Sequence, residues 1–179
     1  MALTVKDILQ LDGLSKMRLI AGEGGLDRYV VSLGIADNEF SSFADQSERN
    51  VFEADMIILS TLLFAKEEPG LILSTTKFLC EIGAAAFACK TTIFEKLPQE
   101  VIDFANAHDF PIIQYDADLY MESIIFEILD AVRKEDDNFF SEENLDQMIA
   151  GNLTKTQIYS LSKNISLKLK EYVMAVYIK

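Results

Sequence analysis

Short apolar runs alternate with amphipathic stretches along most of the chain, and glycines or prolines fall between them. Thr4 is placed to cap a short helix over Val5 to Leu11, with Asp7 suited to its positive end and Gly13 stopping it. Met17 to Ala21 and Tyr29 to Ile35 read as strands joined by a glycine corner. Their closeness in sequence predicts an antiparallel pair. Asp37 to Glu53 is polar and irregular, with Phe40, Phe43 and Phe52 as its apolar points.

A repeating layout follows. Met56 to Leu59 is a wholly apolar strand, and a helix is predicted from Pro69 to Ile82, stopped by Gly83. Ala84 to Cys89 forms the next strand, Pro98 opens a helix running to His108, and Phe110 to Tyr115 forms a further strand. Apolar strands separated by amphipathic helices predict parallel strands covered on their faces by helices. The fold class is therefore α/β: a mixed sheet with a parallel β-α-β-α-β portion flanked by helices.

Asp118 is placed to cap a helix over Leu119 to Arg133, where Met121, Ile124, Ile125, Ile128, Leu129 and Val132 make one stripe. Lys134 to Asn144, with one basic and five acidic residues, reads as a boundary or as a solvated helical turn. Phe139 and Phe140 within it suit docking on a neighbouring domain or subunit, or covering the end of the core. Beyond it the pattern predicts a helical extension that ends in a strand. Ser141 caps a helix holding Leu145, Met148 and Ile149, Thr154 to Gln157 forms a capping box, and Tyr172 to Ile178 alternates as a strand.

Composition narrows the function. The 179 residues are half apolar, and 16 basic against 29 acidic side chains leave a net charge of −13. A duplex-binding surface needs clustered Lys and Arg, so direct nucleic-acid binding is not expected. Cys80 and Cys89 have no metal-ligand spacing, and His108 is the single histidine. Neither a cofactor nor a metal is expected, both thiols read as reduced packing residues, and Lys90 beside Cys89 would favour a lowered thiol pKa. No secretory layout or membrane-length apolar run is present in the sequence, which points to the cytoplasm.

Gly22-Glu23-Gly24-Gly25 invites comparison with a phosphate-binding loop, but such a loop opens a helix, and here a strand pattern follows. Gly22 and Gly25 are instead expected to shape a structural corner, pinned by Asp27 and Arg28 through side-chain pairing or backbone hydrogen bonds. This corner, after the Leu3-Thr4-Val5-Lys6-Asp7 opening, resembles the N-terminal domain of the purine catabolism regulator (PucR) family. Further landmarks follow in order: Ser60-Thr61, Ile82-Gly83-Ala84-Ala85, Leu97-Pro98 and Phe110-Pro111-Ile112-Ile113.

The resemblance covers Leu3 to Val132. It implies a sensor domain of a bacterial transcription regulator whose DNA-binding helix-turn-helix lies at the far end of the full-length protein. Met148 to Asn152 and Tyr172 to Ile178 are similar to the opening of the GGDEF-like middle domain of such regulators. The expected organisation is a sensor at 1–133, an acidic connector at 134–144, and a truncated GGDEF-like domain from 145 to 179. The family pattern has a glycine after its Thr-Thr pair. Leu62 stands there, an exchange expected to reshape the loop beside a ligand.

Ligands of open α/β sheets collect beyond the carboxyl ends of the strands. That rim would hold Ser60, Thr61, Cys89, Lys90, Thr91, Tyr115 and Asp116. Lys90 is suited to an anion, Ser60 and Thr61 to donating hydrogen bonds, and Asp116 to accepting from a ligand N–H. The same residues are what strand ends and helix caps ordinarily carry. The expected function is a sensor that binds a small metabolite or partner and signals onward, without catalysis. The alternative is an architectural dimerisation module, pairing subunits through the 118–133 and 141–150 helices without a ligand. A phosphoacceptor receiver would want an acidic pair after its first strand and an aspartate after its third, and the sequence supplies neither.

Overall fold

A computed structural model describes residues 3–37 and 52–149, with side-chain surroundings given through Glu135. The chain divides into two compact units, Ala2–Val132 and Arg133–Lys179, with Met1 assigned to the second. In the first unit five strands form one mixed sheet: β1 (Met17–Ala21), β2 (Ser32–Ile35), β3 (Met56–Ser60), β4 (Ala86–Lys90) and β5 (Ile112–Tyr115). The helices are α1 (Val5–Ile8), α2 (Gly70–Glu81), α3 (Gln99–Ala107) and α4 (Met121–Ile149).

The sheet order is β1-β5-β4-β3-β2. β2, β3, β4 and β5 are mutually parallel, and β1 closes the far edge antiparallel to β5. The expected mixed sheet is therefore present, but β1 and β2 do not pair. They lie on opposite edges, because the glycine corner crosses the sheet instead of turning back on itself. Ala21 ends opposite Ile112, the first residue of β5, and Ser32 begins opposite Met56, the first residue of β3. The intervening segment thus runs beneath the amino ends of the parallel strands.

Successive strand side chains point to opposite faces, and both faces are buried. Ile58, Phe87, Cys89 and Ile112 pack on one side with Ile72 and Leu79 of α2 and Val101 and Ala105 of α3. Ile57, Leu59, Ala86, Ala88, Ile113 and Tyr115 pack on the other with Val5 and Ile8 of α1 and Ile124 and Ile128 of α4. This is why β3 and β4 read as continuous apolar runs rather than alternating ones.

Three helix boundaries differ from expectation. α1 is a single turn, closed by a capping box in which the Thr4 hydroxyl oxygen accepts from Asp7 N–H and the Asp7 carboxylate accepts from Thr4 N–H. Asp118 does not cap α4, which begins three residues later; its carboxylate instead takes the Lys16 ammonium. The acidic run at 134–144 lies inside α4 rather than interrupting it. It contains no glycine or proline, and its Lys and Glu are good helix formers, so nothing there stops the helix. The 154–157 box and the strand read at 172–178 fall outside the described residues.

Candidate functional site

The carboxyl ends of the parallel strands bring together most of the expected rim. Ser60 pairs with Cys89 across β3 and β4, and Lys90 pairs with Tyr115 across β4 and β5. Because β1 runs the other way, it delivers its own amino end, Lys16 to Arg18, to the same rim beside Tyr115. Among the described residues no helix is long and apolar enough to cross a membrane, and no group of three or more His, Cys, Asp or Glu could hold a metal ion.

Ser60 is fully buried and its hydroxyl is committed within the protein. Its oxygen lies 2.9 Å from Ala36 O and 3.0 Å from Asp37 Oδ1, sharing one proton between two acceptors. The same oxygen accepts from Leu62 N–H at 2.9 Å. Asp37 Oδ1 also accepts from Thr61 N–H at 2.7 Å. Asp37, like Lys16 and Arg18, is a rim residue that sequence reasoning missed. It follows β2 directly, so recognising β2 as parallel to β3 would have placed it at the carboxyl end.

These bonds hold Leu62 in the left-handed region, at φ 60° and ψ 23°. Leu62 thus adopts a backbone conformation that a glycine takes without strain. For an L-residue that backbone costs about 1–2 kcal/mol. Leu62 is wholly buried, and burying a leucine side chain contributes about 2 kcal/mol, enough to offset the strain.

Further along the rim, Asp116 is paired with Arg18 and Asp118 with Lys16. Asp116 thus meets an arginine of β1 where a ligand N–H was expected. The Lys16 hydrogen bond holds the Asp118 carboxyl below its ordinary range, and the same bond raises the Lys16 ammonium. Lys90 is half-buried, and its ammonium has no hydrogen-bond or ion-pair partner among the described residues. Thr91 continues the ladder, its N–H donating to Tyr115 O at 3.0 Å.

Cys89 is fully buried, and burial first, then the Asp37 charge, pushes its thiol well above the ordinary value. Lys90 does not activate it, because adjacent strand residues point to opposite faces. Burial likewise raises the Tyr115 phenol, and its hydroxyl lies 3.4 Å from Ser60 O. Neither group is set up as a nucleophile at neutral pH.

The opposite end of the sheet holds the glycine corner. Gly22 has φ 75°, and a Cβ there would fall 2.0 Å from Phe110 O; one on Gly25 would fall 2.1 Å from Asp109 O. Gly22 N–H donates to Asn106 Oδ1 at 2.8 Å. Arg28 donates to Ala84 O at 3.1 Å and Asp109 O at 3.2 Å, and its guanidinium sits 5.5 Å from the Phe110 ring centre. Asp27 is exposed and makes no side-chain hydrogen bond among the described residues. His108 stacks on Phe104, its Nδ1 2.9 Å from Phe104 O. An open groove of about 560 Å³ beside the corner is lined by Asp27, Tyr29, Asp55, His108 and Asp109, among others. Three carboxylates against the one guanidinium of Arg28 in its lining disfavour an anion there.

The sheet lies within a stretch of sequence that matches a known family. The sequence pattern of the purine catabolism regulatory protein-like family (PucR) matches residues 7–132. Over 125 residues the chain is 22% identical to the purine catabolism regulatory protein of Bacillus subtilis (strain 168). That stretch covers 69% of this chain and 22% of the relative, so the chain spans about a fifth of that protein's length. On the extent of the family match, which takes in the whole sheet from β1 to β5 and the first turns of α4, the chain belongs to the purine catabolism regulatory protein-like family.

Proposed function

We propose that this chain is the regulatory part of a transcription regulator. In this reading a small metabolite binds at the carboxyl-end rim beside Thr61, Lys90, Thr91 and Asp116, and α4 carries the response onward. The observation that supports it most is the junction between β5 and α4. Asp116 and Asp118, held by Arg18 and Lys16, lie between the rim and Met121, where α4 begins. A ligand that neutralises Lys90 or competes for Asp116 alters the charges that anchor the start of that helix. Such a ligand shifts α4 only to the extent that it binds one arrangement better than the other.

Lys90 suits a carboxylate or another anionic group, and the Asp116–Arg18 pair suits a ligand amide. The relative's name refers to purine catabolism, and the effector of this chain need not itself be a purine. No step of this role requires catalysis. In this reading DNA contact falls elsewhere in the regulator, in a helix-turn-helix beyond a GGDEF-like domain that residues 145–179 would begin, as the family resemblance implies, and the net charge of −13 fits that division. A regulator of this kind works in the cytoplasm.

Thermal unfolding of the chain against a panel of carboxylates, amides and nucleobases tests the role. A ligand at a hundredfold its Kd stabilises the fold by about 2.7 kcal/mol, a shift of several degrees. Lys90→Ala is expected to abolish the shift while leaving the unliganded Tm in place. A panel without any shift counts against effector binding, and tight salt-sensitive binding of oligonucleotides counts against the division of labour.

A further inference from the structure

Asp118 does not do what its place in the sequence suits it for. Aspartate is among the best residues for capping a helix, and Asp118 precedes one. In the structure α4 begins at Met121, and the Asp118 carboxylate holds the Lys16 ammonium instead. The first N–H groups of α4, on Met121 and Glu122, find no acceptor among the described residues.

A second lysine acts on the same carboxylate. Lys90 ends β4 on the sheet face that α4 covers, in line with Ala86 and Ala88. It pairs with Tyr115, and Tyr115 pairs with Met17, so Lys90 and the residue after Lys16 lie two strand spacings apart, roughly 10 Å. The Lys16 hydrogen bond first, and the Lys90 charge with it, draw the Asp118 carboxyl below its ordinary range. Asp116 also acts on Lys16 but is itself held by Arg18, and Asp37 accepts from Ser60 and Thr61. Lys16, Arg18 and Lys90 thus share Asp116 and Asp118, and the surplus positive charge sits at Lys90.

We infer that Lys16 and Lys90 together form the anion site of the rim, that Asp118 is its internal occupant, and that a ligand carboxylate displaces Asp118 to the open amino end of α4. This rests on the rim reading above and adds to it a second cation, a competitor and a route into the helix. A dicarboxylate suits the site better than a single carboxylate, because each ammonium then takes one group. The exchange costs little, since both partners of the Lys16–Asp118 pair are more than half exposed. Set free, the Asp118 carboxylate can accept from the N–H of Met121, three residues on, and it favours the positive end of the helix. The ligand selects this second arrangement because only there are both lysines open to it.

NMR titration of the 179-residue chain with succinate, at constant ionic strength and with circular dichroism confirming the fold of each variant, provides the test. The wild type is expected to bind succinate, with the Met121 amide resonance moving as it does. Asp118→Ala is expected to bind about fivefold more tightly and to lose the Met121 response, whereas Lys16→Met and Lys90→Met each bind about fivefold more weakly. Glu23→Gln makes the same change of charge at the glycine corner and is expected to bind as the wild type does. Succinate that binds neither the wild type nor Asp118→Ala at about 50 mM overturns the proposal, and leaves the rim reading to its amides and nucleobases. Equal affinity in the wild type and Asp118→Ala, or a tightening that Glu23→Gln matches, overturns the competition while the rim still binds. Binding without a Met121 response overturns the hand-over to α4.

Discussion

The two ends of the sheet are built on opposite rules. At the amino end, the glycine corner commits its polar groups to backbone. Arg28 gives two bonds to main-chain carbonyls just ahead of β4 and β5, and Gly22 N–H reaches Asn106. Main-chain atoms sit where side chains would otherwise go. At the carboxyl end the same strands finish in side-chain ion pairs on the surface, an internally satisfied Ser60–Asp37 turn, and a lysine without a hydrogen-bond or close ion-pair partner among the described residues. A surface whose donors, Arg28 and the Gly22 N–H, are spent on the fold has none of these to exchange for a ligand. The rim does, at Lys90 and at its exposed pairs.

The sharpest way to break that contrast is at Gly22. Gly22→Ala puts a Cβ on Phe110 O, a main-chain atom that cannot swing aside, at a left-handed φ that alanine resists. Strain and overpacking together are expected to cost about 3–4 kcal/mol, a large part of a typical domain's stability, read from urea unfolding. Arg28→Ala comes next. It removes two bonds from a charged donor and the stack on Phe110, and a loss of about 2 kcal/mol is expected. Arg28→Lys should recover only a minor part, because an ammonium cannot span both carbonyls as the guanidinium fork does.

The rim divides into a structural and an available half, and two further variants separate them. Ser60→Ala leaves the Leu62 N–H unsatisfied in a buried turn and is expected to cost about 1–2 kcal/mol in the same unfolding assay. Lys90→Ala should stay within about 0.5 kcal/mol of wild type. If Lys90→Ala proves as costly as Ser60→Ala, the lysine is part of the fold and the contrast between the two ends fails.

How legible this was in the sequence depended on the range of the interaction. Glycines, prolines and apolar runs are local signals, so α2, α3 and the three inner strands were readable to within a few residues. The Arg28 contacts at Ala84 and Asp109 join residues 56 and 81 positions apart, which no local pattern encodes. One topological expectation hid the most. The predicted antiparallel pairing of β1 with β2 left open which end of the sheet Lys16, Arg18 and Asp37 would meet. Placing β1 antiparallel beside β5 and β2 parallel beside β3 moves all three to the carboxyl end. Which side of α4 the sheet would cover is decided by tertiary packing.

The smallest predicted effect concerns pH, and it again distinguishes the ends. The Lys16 bond lowers the folded-state pKa of Asp118, so the pair's contribution is present above the carboxyl's unfolded value and fades as pH falls through the lowered one. Asp118 in turn raises Lys16, whose contribution is present below its unfolded value and fades as pH rises through the raised one. Across the neutral range the pair is therefore intact and stability is flat. Both side chains are more than half exposed, so added salt should weaken the pair. Carboxyl NMR titration of Asp118 is expected to show a midpoint below the ordinary aspartate value, returning toward it in Lys16→Met or at about 1 M salt. An Asp118 midpoint unmoved by Lys16→Met would dissolve the pair. The Arg28 bonds at the amino end should show no such dependence, because they end on carbonyls that never titrate, and their contribution should hold through the same acid range in which the Lys16–Asp118 pair lets go.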